Sequence, residues 1–409
     1  MSVWKRAVVA SLGIALVASA CGGPGAGDVS DDGVKTGRGV DASEKVIRIG
    51  GLYDLSGVMA TLGVPWEAAV SAALDQVNDS GRLGDWTLEQ VSRDHGFNPS
   101  NAVAMYDSIK DDVLAIAPAI GTQPIAPLLP RFVNDNMLAF VGGGATSSQT
   151  SHTIWGFSSY HAEAARGVQY AFETKGDDLR LGVVYTSDDS GADVLEGFRE
   201  AAEQLDIEIE AEVALEPTAD DFSAAVGRLE EAGVTDVVLG TAGGLSSGVV
   251  STASGRDFRP DWYGILPSFL EVVWYDTLDP SAWADNFYWV HGVPYWGENR
   301  PGMEEFLADY EASSAAADFP APQVWALVGY LQVQQLVGII EVAIDNEDLT
   351  PEGLYAAAES MDDYDADGLL LGPMDALGGE GAASRTRVLK ADVANKSWTV
   401  VGDVSDGKN

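Results

Sequence analysis

The sequence predicts an α/β protein built as two doubly wound lobes, each a parallel sheet covered by helices, with a ligand cleft between them. Three observations carry this. Short apolar runs that stop at or near glycine recur, as at residues 113–120 and 137–141, and runs of that kind read as strands buried on both faces. Stretches with apolar residues at helical spacing alternate with them. The rhythm strand, helix, strand, helix starts at residue 46 and restarts near Arg180, which makes two units.

In order, residues 46–52 alternate and end at Gly50-Gly51-Leu52, a first strand. Trp66, Ala69, Val70, Ala73, Leu74 and Val77 then share one helical face. A strand over 86–93 precedes a helix over 102–109, with Asn98 or Ser100 as its cap. Next comes the unit around which the chain is organised. A strand over 113–120 leads to Thr122, the predicted cap of a helix bearing Pro124 and Pro127 in its early turns, and a second strand covers 137–141. The second lobe has helices at 163–174, 191–204 and 222–231 and strands at 180–185, 207–214, 236–240 and 287–294. Helices follow at 302–313, 321–343 and 351–361, the middle one apolar nearly all round and therefore buried, and strands at 386–393 and 398–404 make a closing hairpin.

Parallel strands open their carboxyl ends on one edge, where ligands of open α/β sheets bind. Two small, hydroxyl-rich loops meet there: Gly121-Thr122-Gln123, and the run from Gly142 to Gln149 that contains Ala145, Thr146 and Ser147. Their glycines let a ligand approach the backbone, and each loop is expected to open a helix whose free amides suit a carboxylate. Such a pair favours a cleft over plain helix capping.

The first 20 residues read as a secretory signal. Lys5 and Arg6 precede an apolar stretch, 7–20, too short to cross a bilayer. Ala18-Ser19-Ala20-Cys21 resembles the lipobox of bacterial lipoproteins, in which the cysteine becomes the acylated first residue, although Ala18 stands where a larger aliphatic is usual. The same residues satisfy the ordinary cleavage rule, which would release a free secreted form. With one cysteine, an intramolecular disulfide is excluded. Residues 21–45, rich in Gly, Asp and Ser, are expected to be a flexible tether. The formal charge is −40, from 63 acidic and 23 basic side chains, and losing Lys5 and Arg6 with the signal takes −40 to −42. So acidic a surface repels nucleic acid and anionic lipid and keeps the protein soluble.

With these elements and loops in place, residues 46–404 resemble the substrate-binding proteins of ABC importers, in the type I group typified by the leucine/isoleucine/valine-binding proteins. Four stretches carry the resemblance: Ile49-Gly50 through Asp54-Leu55-Ser56-Gly57 to Leu62-Gly63; Ile120-Gly121-Thr122-Gln123-Pro124; Gly144-Ala145-Thr146; and Asp221-Phe222-Ser223-Ala224. It implies two lobes joined by three crossover segments, near Phe157, residues 288–294 and residues 369–371. Residues 46–157 plus 290–345 then form the first lobe, and 158–289 plus 346–409 the second. It also implies that Thr122, Gln123, Ala145, Thr146 and Ser147 hold the ligand, with Tyr160, Ser190 and Phe269 facing them. The chain departs from the family pattern at three places. Leu266-Pro267-Ser268-Phe269 stands where an acid pairs the ligand's ammonium, Ser190 precedes Gly191 where a tyrosine is common, and the loop after Phe157 lacks its usual aspartate. Trp155, Tyr160, Phe269 and Trp296 would suit an apolar or aromatic carboxylate. The implied function is a lipid-anchored protein on the outer face of the cell membrane. It acts as a monomer without cofactor or catalysis, closes on a branched-chain or other amino acid or an apolar carboxylate, and delivers it to an ABC permease. A ligand sensor for a membrane receptor would use the same two lobes.

Two other constellations are present in incomplete form. Gly244-Leu245-Ser246-Ser247-Gly248 matches an esterase nucleophile elbow, with Asp276, Asp279 or Asp285 and then His291 completing the order, but the preceding strand ends at Gly240, too far away for the sharp turn. Residues 363–368 copy the first half of a calcium loop, but its twelfth position is Met374 where glutamate is required. His95, His152 and His161 show no metal spacing, and no P-loop, H-E-x-x-H or G-x-G-x-x-G is present.

Overall fold

The computed structural model describes residues 28–313, 316, 323–366, 368–377 and 384–405, so the predicted signal, Cys21 and Asp367 of the calcium-like turn lie outside the described residues. Strands β1 (Lys35–Thr36) and β2 (Val40–Asp41) precede β3 (Val46–Tyr53), β4 (Thr87–Asp94), β5 (Ala115–Ile120), β6 (Leu138–Gly142) and β7 (Thr153–Ile154). Parallel pairing runs β4-β3-β5-β6-β7, and β2 joins β3 antiparallel. In the second lobe, β8 (Leu181–Thr186), β9 (Ile209–Leu215), β10 (Asp236–Gly240), β11 (Asp261–Ile265) and β12 (Phe287–His291) pair in parallel as β9-β8-β10-β11-β12. After β13 (Asp348–Leu349), the tail strands β14 (Thr386–Asp392) and β15 (Ser397–Ser405) extend that sheet antiparallel. Both lobes therefore repeat one doubly wound order, with the second strand outside the first and the next three on its other side.

The chain passes between lobes three times: at residues 155–159, between β12 and the helix Met303–Ala312, and between the helix Pro351–Ser360 and β14. Polar bonds tie these passages together. The Gly292 amide donates to Ser158 Oγ at 2.7 Å, and the Arg300 guanidinium donates to the Gly368 carbonyl at 3.3 Å.

The apolar helix Val324–Asp345 is long and apolar enough to cross a membrane, yet 83% of its apolar window is buried inside the protein. It packs along the helix Ala60–Ser80, where Trp325 stacks on Trp66 with ring centroids 5.1 Å apart. Gln332 satisfies this otherwise apolar seam: its Oε1 accepts from Trp66 Nε1 at 3.2 Å and its Nε2 donates to the Val141 carbonyl at 3.1 Å. Each large apolar side chain buried here contributes about 1.5–3 kcal/mol.

Four expectations are corrected. Residues 28–45 are not a free tether: Val34 is buried, β1 pairs with β13, and the Arg38 guanidinium donates to the Asp135 and Asn136 carbonyls at 2.6 and 2.7 Å. Val34, Arg38 and the pairing of β1 and β2 dock a segment whose average composition is polar. Thr122 is the first residue of a helix instead of its cap; Gly121 is the cap, and the prolines divide the segment into the short helices Thr122–Ile125 and Leu129–Asn134 with a 3-10 turn between. The loop after β6 opens only a 3-10 turn, Thr146–Ser148, so it supplies no helix dipole. Finally, the helix Pro351–Ser360 packs on Val324–Asp345, so the first lobe extends past residue 345, and β12 belongs whole to the second sheet.

Candidate functional site

Loops at the carboxyl ends of both sheets enclose a cavity of ≈ 310 Å³. The first lobe presents Met59, Leu62, Phe97, Ile120 and Trp325, and the second Leu245, Ile265 and Pro267, so the walls are mainly apolar. Polar groups are fewer: Thr122 and Gln123 on one side, Tyr160, Thr186, Asp188, Ser190, Thr218 and Thr241 on the other. Larger hollows of ≈ 880 and ≈ 700 Å³ lie elsewhere, one along residues 28–43 and one beside β15, but neither is walled by both lobes.

The loops are held by side chains that close on their own backbone. Buried Asp54 accepts from the Gly57 amide at 2.6 Å and the Met59 amide at 2.7 Å, which folds the turn after β3 and places Met59 in the wall. Buried His95 accepts from the Phe97 amide through Nδ1 at 3.1 Å, so its Nε2 carries the hydrogen and donates to the Ile120 carbonyl at 3.1 Å. Burial lowers its pKa and keeps the ring neutral. That bond joins the ends of β4 and β5 and holds Phe97, at φ 55°, over Gly121.

Across the cavity, Gln123 Nε2 donates to Asp188 Oδ2 at 3.1 Å, a direct bond between lobes. Asp188 is also the cap of the helix Asp189–Gln204, with Oδ1 accepting from the Gly191 amide at 3.0 Å and from Thr186 Oγ1 at 2.7 Å. Two more carboxylates join segments nearby. Asp193 accepts from the Thr146 amide at 3.0 Å and the His161 amide at 2.9 Å, and also from Thr146 Oγ1. Fully buried Glu163 accepts from Ser158 Oγ at 2.5 Å and from the Leu266 amide at 2.7 Å, and burial raises its pKa well above the usual carboxylate range.

Of the sequence-predicted contacts, Thr122, Gln123, Tyr160 and Ser190 line the cavity. Ala145 is buried in the core, Thr146 has its amide and hydroxyl bound to Asp193, and Ser147 is exposed on the 3-10 turn. Phe269 lies fully buried in an aromatic cluster, 5.2 Å from Trp274 and 4.9 Å from Trp398 between ring centroids. Asp188 was missed. Its capping role was legible as an acid just before a helical run, but not its place opposite Gln123, which depends on how the lobes meet.

The esterase arrangement does not form. Ser246 Oγ is buried and donates to the Thr241 carbonyl at 2.8 Å, whereas the His291 ring accepts from the Val293 amide at 3.2 Å. Met374, at the twelfth position of the calcium-like turn, pairs back on Tyr364 through two backbone bonds of 2.8 and 2.9 Å.

A family model described as periplasmic binding protein matches residues 46–392. No curated protein sequence matches. Among solved structures, the fold is similar to a fatty acid ABC transporter substrate-binding protein from Thermomonospora curvata, at 26% identity and TM-score 0.84 over 93% of this chain and 97% of that one. A branched-chain amino acid ABC transporter protein from Thermus thermophilus, with bound valine, shares the fold at 17% identity and TM-score 0.75, over 89% and 97% of the two chains. A possible leucine/isoleucine/valine-binding protein from Rhodopirellula baltica SH 1 does so at 20% identity and TM-score 0.74, over 88% and 98%. Two doubly wound lobes, three passages and a cleft at the carboxyl edges agree with that match: the chain belongs to the periplasmic binding proteins.

Proposed function

We propose that this chain is the solute-binding protein of an ABC importer, exported, anchored through Cys21 and acting as a monomer. It holds a small organic solute with an apolar body and a carboxylate end between its lobes, and the closed form is what the permease reads. The observation that carries this is the ≈ 310 Å³ cavity walled by both lobes, apolar on most sides and crossed by the Gln123 to Asp188 bond. A cleft of that make-up is how small-molecule sites are built. The Thermomonospora protein named for fatty acids and the Thermus protein with bound valine support a carboxylate on an apolar body. In support of the carboxylate end, the helix Gly243–Gly255 begins at the cavity with no side-chain cap on its first amides. Thr122, Gln123, Tyr160 and Ser190 are the proposed further contacts.

A thermal-shift screen of the mature protein with medium-chain fatty acids, branched-chain amino acids and aryl-alkanoic acids tests the reading. One class should raise the melting temperature in a concentration-dependent way. Thr122→Val should then weaken its binding by about 1–2 kcal/mol in calorimetry, the cost of a lost buried hydrogen bond. No stabilisation by any class, or hydrolysis of an ester added to the same sample, would overturn it.

A further inference from the structure

From Asp28 onward the chain is fastened to the first lobe. The Asp28 carbonyl accepts from the Thr36 amide at 2.8 Å and from Thr36 Oγ1 at 2.9 Å, and the Lys35 amide donates to the Glu347 carbonyl at 2.9 Å, just beyond the helix Val324–Asp345. Buried Val34 joins the largest core cluster, and Lys45 Nζ pairs with Asp32 Oδ2 at 2.7 Å. The slack between Cys21 and the fold is therefore the six residues 22–27, not the 24 residues 22–45. At no more than about 3.6 Å per residue, Asp28 lies at most about 25 Å from Cys21, where a tether free as far as Lys45 would reach about 85 Å.

That fastening is at the pole of the first lobe farthest from the cleft. Asp28, Asp31 and Asp41 line one open hollow with Arg48, Asp111 and Asp112. Arg48 stands near the start of β3 and Asp112 just precedes β5, so the hollow marks the amino edge of the first sheet. The carboxyl ends of both sheets face the cavity between the lobes. The amino edge of the second sheet, where Glu208 leads into β9, is thus the opposite pole. β3 has eight residues and β8 has six, and with the cavity between them the two poles are on the order of 50 Å apart. Five acids against one base line the hollow, a charge that does not adhere to anionic lipid. The tether, and not attraction to the face, then sets its distance from a bilayer.

We propose that the amino edge of the first lobe is the membrane-facing pole of the anchored protein, held within about 25 Å of the lipid bilayer by the docked strap at residues 28–45, with the second lobe standing away from it. This rests on the anchoring of Cys21 proposed above and adds an orientation to it. A tether free as far as Lys45 would let either pole approach the bilayer; the strap removes that freedom by taking up three quarters of the available chain.

The test is energy transfer from the acylated mature protein in phosphatidylcholine vesicles whose headgroups carry an acceptor dye. The donor dye is placed on Asp112→Cys at one pole or on Glu208→Cys at the other. Both positions are exposed, and with the single native cysteine acylated, each introduced thiol is the one that takes the dye. Transfer should be several-fold stronger from position 112 than from position 208. A Gly/Ser spacer of about 20 residues between Gly25 and Ala26 leaves the strap untouched, and it should lower the transfer from position 112 and bring the two labels toward equality. Equal transfer from the two labels without the spacer, or a difference that the spacer leaves unchanged, overturns the orientation. Flotation of the same vesicles distinguishes this from failure of the anchor. Protein that floats and shows equal transfer refutes the orientation alone, whereas protein that stays behind refutes the acylation of Cys21 and the orientation with it.

Discussion

Glu271 shows what single buried residues do here. It comes from the second lobe, and its Oε1 accepts from the Val324 amide at 3.0 Å, so it caps a first-lobe helix that lacks a side-chain cap of its own. Its other oxygen is buried without a hydrogen-bond partner, and burial raises the pKa from 4.5 to about 7. Because the folded value lies above the unfolded one, the protonated form is preferred in the fold. The stability this group contributes is full below pH 4.5 and is lost as pH rises through 7. Glu271→Gln should therefore melt above wild type at pH values over 7 and converge with it toward pH 4.5, a difference of at most on the order of 3 kcal/mol. Melting curves of the two proteins across that range check it, and parallel curves at all pH values would contradict it.

At the scale of elements, close approach between turn and helix decides which positions must be glycine. A Cβ on Gly63 would lie 1.9 Å from the Asp54 carbonyl oxygen, and one on Gly191 would lie 1.8 Å from that of Thr186. Both meet backbone, which cannot swing aside as a side chain can. Gly63→Ala should thus force the helix Ala60–Ser80 away from the turn after β3, costing roughly 1–3 kcal/mol by urea denaturation. It should also weaken ligand binding, since Met59 and Leu62, at the start of that helix, stand in the cavity wall. Gly227→Ala is the control, because a Cβ there meets no atom within 4 Å; it should be neutral or slightly stabilising.

For the whole molecule, three of the hydrogen bonds that join the lobes among the described residues run from Gln123 to Asp188, from Thr146 to Asp193 and from Val324 to Glu271. Each is made to an acidic side chain of the second lobe, and the chain as a whole has a formal charge of −40. Self-repulsion of that size destabilises the compact state, and it is screened over about 8 Å at physiological ionic strength. The melting temperature should accordingly rise when sodium chloride is added from low ionic strength. A flat or falling dependence would mean that surface pairs such as Arg199 with Glu212 and Arg256 with Glu230 already neutralise the field locally.

Burial periodicity was the legible part of this chain. The strand at 236–240 and the tail hairpin follow from local pattern, and so does the burial of the helix Val324–Asp345, because side-chain direction repeats with the backbone whatever the partner. β11 escaped because five residues reading Asp-Trp-Tyr-Gly-Ile, with an acid and a glycine among them, carry no period to detect. Thr122 and Gln123 were legible as polar residues at a strand end, where the parallel topology must open its edge, whereas Tyr160 and Ser190 were reached through the family resemblance. Sequence by itself thus determined two doubly wound lobes and the sheet edge at which their loops face one cavity. Only the tertiary structure decided that Asp188 meets Gln123, that Thr146 serves Asp193, and that Phe269 belongs to the core. Those outcomes depend on contacts between segments far apart in the chain, and no local spacing encodes the angle at which two lobes close.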